Sequence, residues 1–453
     1  MTANAREQFF LLMGPTWKNE AVTDKLRASG ITYEWKRLNS SPQNWESILS
    51  LVHQPSLIGV VAKLGPNVYD LIATSAYSDI AWHLFQAIGN APNAIFIHED
   101  ILREHSELTY DEDDVGKYWT VTELRQQFPP PNHNVREVVN ELFVVCRVNI
   151  VPYRTNAELS VLASAFIDDH EKNLLFRVYV PSGRLFAAEA DKLLSLFQDW
   201  LNRVGRHNVR QGGYRTSAGE VYEFFGDSTL AGCELSREFD DFSGFLDLCI
   251  EDAAAAGALL SQAGIDRTSA SDMVMRYSKE VRRLHLDLRQ QRESRMLAIR
   301  HTLESELVEV GNESFVPYID DLIDSMVPGA QDVNPMRLLT LTPSEPSSLP
   351  TASVTINQQV INTVSGAVIQ NVQGTVNLGP EAKELLKLAA QFGGQNAAVL
   401  ESAVHELEDQ NARVSDRLGA RSRLKGFLIQ LGGKIEDTAL AVLQNYVQSR
   451  IGL

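Results

Sequence analysis

Three stretches of this 453-residue chain carry side chains able to hold or work on a ligand. Gly14-Pro15-Thr16-Trp17 offers a turn, a hydroxyl and an indole face. Lys63-Leu64-Gly65-Pro66 offers an ammonium beside a second turn, and Ser75 and Tyr77 follow with a hydroxyl and a phenol ring. Each stretch leads into a helix-like segment, one beginning near Asn19 and the other near Asp79. Exposed amides at helix starts attract phosphate and other anions. The expected ligand-binding set is therefore Thr16, Trp17, Lys63, Ser75 and Tyr77, facing an anionic or nucleotide-like molecule. Neither GxGxxG nor a phosphate loop of the GxxxxGKS type occurs, so Gly-Pro pairs that merely turn the chain are the alternative.

The third stretch is Arg210-Gln211-Gly212-Gly213-Tyr214-Arg215-Thr216. Its two guanidiniums and one aromatic surround flexible backbone, which makes Arg210, Tyr214 and Arg215 secondary ligand candidates. A hairpin turn with arginines in solvent fits the same residues. Elsewhere the chemistry is sparse. Cys146, Cys233 and Cys249 are odd in number and without CxxC spacing, so they read as small buried hydrophobes and no metal site is expected. Residues 99–114 hold eight acidic residues against one arginine, but their spacing does not match a calcium loop and they read as a solvated boundary. His207 reads as a turn or surface histidine.

The elements that must position the first two stretches alternate strand with helix. Phe9–Met13, Ile31–Leu38, Leu57–Ala62 and Ala94–His98 are the strand candidates. Helices are expected over 19–29, from Ser41-Pro42 with Trp45, Ile48, Leu49 and Val52 inward, and from Asp79 to Ile88. Nearly continuous apolar strands joined by helices indicate a parallel sheet covered on both faces. Ligands of such sheets bind outside the carboxyl ends of the strands, where both Gly-Pro loops fall.

This pattern resembles the TIR-like and nucleoside deoxyribosyltransferase-like folds over about a quarter of the chain. The resemblance implies a nucleotide such as NAD as cofactor or substrate. In TIR enzymes a helix after the third strand supplies a glutamate that acts on the nicotinamide ribose bond. The matching segment here is Ser75-Ala76-Tyr77-Ser78-Asp79-Ile80-Ala81-Trp82-His83. It has no glutamate, and Asp79 is the one carboxylate able to stand in as the catalytic residue, or else to cap the helix.

Residues 1–128 are thus expected as a Rossmann-like or TIR-like α/β domain. A second α/β domain is expected over 135–228, with strands at Glu141–Val151, Leu174–Val180 and Val221–Phe225 and a helix over 188–203. A helical region follows over 244–330. Its stretch from Ala270 to Glu309 lacks Pro and Gly, and Val274, Tyr277, Val281, Leu284 and Leu288 form its apolar stripe. Between 272 and 300 it holds eight basic and four acidic residues, which suits a stalk or docking helix.

Residues 344–380 read as a charge-poor linker and a β-forming assembly segment, with Val360, Val364, Val368, Val372 and Val376 on one apolar face. This Asn-, Val- and Gly-rich run resembles connector segments of bacterial anti-phage defence proteins. Residues 381–453 are expected as a C-terminal helical domain. Its basic cluster (Arg413, Arg417, Arg421, Arg423, Lys425, Lys434) beside Phe427, Leu428, Ile429 and Leu431 suits a membrane surface or a packed bundle.

The chain carries 58 acidic and 41 basic residues, net -17, which argues against nucleic acid and anionic lipid over most of the surface. Without an 18-residue apolar run or a signal-like N-terminus, the cytoplasm is the expected compartment. Three functions stay open: a modular, homo-oligomeric regulatory or immune-type protein, a nucleotide-binding or NAD-cleaving enzyme, and a structural protein that binds a protein partner.

Overall fold

Four largely apolar strands and a more polar edge strand build the first sheet. The computed structural model describes residues 8–14, 21–102, 131–171, 173–226, 233–307, 320–321, 323–324, 326–327, 372, 374–375, 377–431 and 437–450. The chain divides into two compact units, one made of residues 1–172 and 413–453 and the other of 173–412.

In the first unit, β1 (Phe9–Met13), β2 (Thr32–Lys36), β3 (Leu57–Leu64), β4 (Asn93–His98) and β5 (Ile150–Tyr153) form an all-parallel sheet in the order β2-β1-β3-β4-β5. Every residue of β1 and β4 is buried, as expected for strands covered on both faces. The crossovers are α1 (Ala21–Ala28), α2 (Pro42–Val52), α3 (Pro66–Ile72), α4 (Ser78–Gly89), the single turn α5 (Glu99–Leu102) and α6 (His133–Val145). Leu11, Val60, Ile95 and Ile97 meet Trp45, Phe85 and Phe143 of α2, α4 and α6 on one face. On the other face Phe10 meets Phe166 edge-on, 6.4 Å between ring centres, from α7 (Asn156–Glu171). This is a Rossmann-like α/β topology, and the parallel sheet with flanking helices expected for the N-terminal region is present.

Three local readings are corrected. The apolar run Glu141–Val151 is not one strand: its first half ends α6 and its last two residues open β5, the edge strand of this same sheet. Such a run fits either state, and packing of Val139 and Phe143 on the sheet selects helix. The loop expected from Lys63 to Asp79 contains α3, because Pro66 begins a helix as well as it makes a turn. Glu99 and Asp100, read as the start of a solvated acidic boundary, are buried.

The second unit holds a three-stranded antiparallel sheet, β6 (Leu174–Pro181), β7 (Arg210–Arg215) and β8 (Gly219–Phe225), in the order β6-β8-β7. Helices α8 (Ala187–Arg203), α9 (Cys233–Glu251), α10 (Ala253–Gln262) and α11 (Arg267–Leu307) share its core. The expected apolar stripe of α11 is buried there. Further along, α12 (Pro380–Phe392) packs on α13 (Ala397–Glu408), which docks on β6 through buried polar groups. Arg177 pairs with Glu406 at 2.5 Å, Arg184 with Glu401 at 3.4 Å, and the Tyr179 hydroxyl donates to Asp409 at 2.9 Å. Leu185 N donates to Val372 O at 3.1 Å, and Val372 is fully buried in this core. Val360, Val364, Val368 and Val376 lie outside the described residues.

The chain then returns to the first unit as α14 (Val414–Gln430) and α15 (Asp437–Ser449). Helix α14 begins eight residues before the expected 422, and it packs on β5 and α7. Its basic residues do not form an open membrane face. Arg421 and Lys425 are buried together with Phe427, Leu428 and Leu431. Lys434 lies outside the described residues. Among the described residues no helix is long and apolar enough to cross a membrane.

Candidate functional site

The carboxyl ends of β1, β2 and β3 meet around Gly14. Its φ of +110° and its position against Lys63 both require glycine, since an added Cβ would lie 2.1 Å from Lys63 O. Gly14 N donates to Lys36 O at 3.0 Å, which brings the end of β2 alongside. The backbone that leaves β2 is tied down residue by residue. Arg37 O accepts from Ser40 Oγ at 2.8 Å and Asn44 Nδ2 at 3.1 Å. Leu38 O accepts from the buried Trp45 Nε1 at 2.8 Å, and Ser40 O from the Tyr77 hydroxyl at 2.7 Å.

The result is a cavity of about 320 Å³ lined by Gly14, Arg37, Leu38, Asn39, Gly65, Asn67 and Val68. Strand β1 has β2 on one side and β3 on the other, so the cavity lies where the order of the sheet reverses. That is the place where open α/β sheets bind ligands. The Arg37 guanidinium stacks over the Trp35 ring at 5.2 Å, and among the described residues no carboxylate pairs with it. Arg37, Asn39 and Asn67 supply N–H donors, and Leu38 and Val68 supply an apolar floor. This combination can hold an anionic group and one flat or apolar group.

The sequence-picked residues fall unevenly around this cavity. Thr16 and Trp17 lie outside the described residues. Lys63 turns toward β5 and α7: its Nζ donates to Asn156 Oδ1 at 3.2 Å and sits 5.7 Å over the Tyr153 ring. Ser75 is exposed, and its carbonyl accepts from Ser78 Oγ at 3.3 Å. Tyr77 supports the wall from behind through Ser40 and packs edge-on against Trp45 at 5.2 Å. Asp79 is exposed in the first turn of α4 and is not on the wall. In the second unit, Arg210, Tyr214 and Arg215 form β7 opposite Phe225, Val221 and Glu220, where a loop or hairpin turn was expected. Arg215 makes a two-pronged pair with Glu220, both contacts 2.8 Å, in solvent. The turn itself falls at 216–218, and Thr216 Oγ1 donates to Asp409.

Arg37, Leu38, Asn39, Asn67 and Val68 went unread in the sequence. The signal was available only through topology: β2 ends at the same edge as β1 and β3.

At the ends of β4 and β5 lies a different cluster, fully packed. His98 Nε2 lies 3.0 Å from Arg154 O, and its Nδ1 lies 3.3 Å from Asp100 N and 3.4 Å from Asp100 Oδ2. Lys425 of α14 bonds Glu99, and Arg421 Nη2 reaches Glu158 Oε1 at 2.7 Å. Glu158 Oε2 also accepts from Arg154 N at 3.1 Å. Burial pushes the Lys425 ammonium below the ordinary lysine range, against the opposing pull of Glu99 and Glu158. Four interlocked buried charges make an anchor for α14 rather than a vacancy for a ligand.

The fold is a Rossmann-like α/β unit with an open crevice at the carboxyl ends of β1, β2 and β3. Comparison with models of protein families and with curated proteins finds no match for the chain.

Proposed function

We propose that the chain is a modular regulatory protein whose Rossmann-like unit binds an anionic, nucleotide-like ligand at the carboxyl ends of β1, β2 and β3. One observation carries this reading. The cavity at the sheet's reversal point is lined by Arg37, whose guanidinium has no carboxylate partner among the described residues, by Asn39 and Asn67, and by Gly14 and Gly65. At about 320 Å³ it is at the small end of ligand sites, which favours a mononucleotide-sized molecule over a whole dinucleotide.

TIR-like cleavage of NAD needs a carboxylate at the reacting bond. Among the described residues the wall has none, and Asp79 stands apart from it. Binding is therefore the supported role. The immune-type, anti-phage reading draws only on the composition of residues 354–378.

Titration calorimetry with AMP, ATP, NAD and inorganic phosphate tests the proposal. A charge-assisted hydrogen bond is worth about 1.5–3 kcal/mol, so Arg37→Ala is expected to weaken binding by roughly ten-fold to a hundred-fold. Nucleotide affinity unchanged by Arg37→Ala would move the ligand elsewhere.

A further inference from the structure

Helix α11, 41 residues long, carries two apolar stripes. The first faces the core of its own unit. The second is Met275, Leu286 and Leu297, exposed to 65%, 55% and 65%. These three recur at 11-residue spacing, which is three helical turns with a drift of about 20° per repeat. They lie in one line about 33 Å long. Lys279, Arg282, Gln290 and Glu293 fall in the same strip. Among the described residues none of these four is paired with a neighbour.

The order of residues in the strip is symmetrical about Leu286. Met275 and Leu297 stand 11 residues away on either side, Lys279 and Glu293 seven, and Arg282 and Gln290 four. A strip of that order is its own complement when reversed.

We infer that this strip is a two-fold interface, taken by a second copy of the chain with its α11 antiparallel. Leu286 then stacks on its twin, and Met275 meets the partner's Leu297. Glu293 falls between the partner's Lys279 and Arg282, and the symmetry makes this contact twice. A parallel pairing would instead set Lys279 against its twin and leave Glu293 facing Glu293. The 11-residue period suits nearly straight helices with a slight right-handed twist. Arg289 beside the partner's Arg282 opposes the contact, and three apolar residues per helix bury a modest area. The association is accordingly weak and salt-sensitive.

Sedimentation velocity on the full chain tests this over a roughly hundred-fold range of concentration. A monomer–dimer equilibrium is expected. Glu293→Lys should weaken it about ten-fold, and adding Lys279→Glu to the same chain should restore it. Leu286→Cys, on the two-fold axis, should cross-link to its own twin under mild oxidation. Protein that stays monomeric throughout would overturn the inference, as on a strip kept for a different partner. So would a dimer indifferent to Glu293→Lys, or one in which Leu286→Cys fails to cross-link.

Discussion

At the residue scale, His405 shows how burial becomes a pH response. It is buried in the second unit, and among the described residues no hydrogen-bond partner reaches its Nε2. Burial, helped by the nearby Arg184 charge, pushes its pKa down to about 3. The native ring thus stays neutral where the unfolded ring, with an ordinary value of 6.5, takes a proton. The unfolded state binds more protons between those two values, so stability contributed by His405 is lost as pH falls through that window. The loss is of the order of a few kcal/mol at its lower end. Glu401 works in the opposite sense, because burial raises its pKa against the pull of Arg184. Denaturant midpoints measured from pH 7 to pH 4 should fall more steeply for wild type than for His405→Leu. Parallel curves would show that the imidazole does not titrate on unfolding. None of this was legible from residue types, since a histidine on a helix reads equally as core or surface. Arg37, Asn39 and Asn67 escaped for a related reason. Arg37 and Asn39 are ordinary polar residues after a strand and Asn67 one in the first turn of α3, and only the adjacency of β2, β1 and β3 gives them a shared cavity.

At the element scale, the crevice depends on how closely β1 can end against β3. Gly14 and Gly65 both border it, yet they face different constraints. A Cβ at Gly14 would meet Lys63 O at 2.1 Å in a backbone of positive φ, whereas a Cβ at Gly65 meets nothing within 4 Å. Gly14→Ala should therefore cost roughly 3 kcal/mol or more, and Gly65→Ala should stay within about 1 kcal/mol. Thermal unfolding of the two variants checks this, and equal transition temperatures would refute it. The central strands of this sheet were readable because burial on both faces leaves continuous apolar runs such as Phe9–Met13 and Leu57–Ala62. The same continuity misled at Glu141–Val151, where an apolar run of that length suits either state until α6 is packed on α3 and α4. Strand β7 was obscured for the opposite reason. Arg-Gln-Gly-Gly-Tyr-Arg has turn-like composition, and only pairing with β8 makes it a strand.

At the scale of the whole molecule, the first unit is built from two pieces of chain separated by all of residues 173–412. Its sheet is covered in part by α14, from the second of those pieces. The contact between the pieces includes a buried ionic cluster beside apolar residues of α14: Lys425 and Arg421 meet Glu99 after β4 and Glu158 of α7, all of them buried. Such a cluster gives little net stability against an apolar equivalent, but removing one partner strands the rest in a poor solvent for charge. Lys425→Met takes one buried cation out of this cluster and should cost about 3–5 kcal/mol. Converting Glu99 to Gln in the same chain removes the charge that Lys425 opposed and should recover a large part of that loss, a coupling that a double-mutant cycle measures directly. Hydrogen exchange read by mass spectrometry can assign the damage to a unit. Peptides covering β4 and β5 should lose protection in Lys425→Met and in a chain ending at Ala412, while those covering β6 and β8 keep theirs. Loss spread evenly over both units would mean that they unfold together. Unchanged protection of β4 and β5 in the chain ending at Ala412 would show that the sheet folds without its returning helix, and that the buried charges contribute position rather than stability.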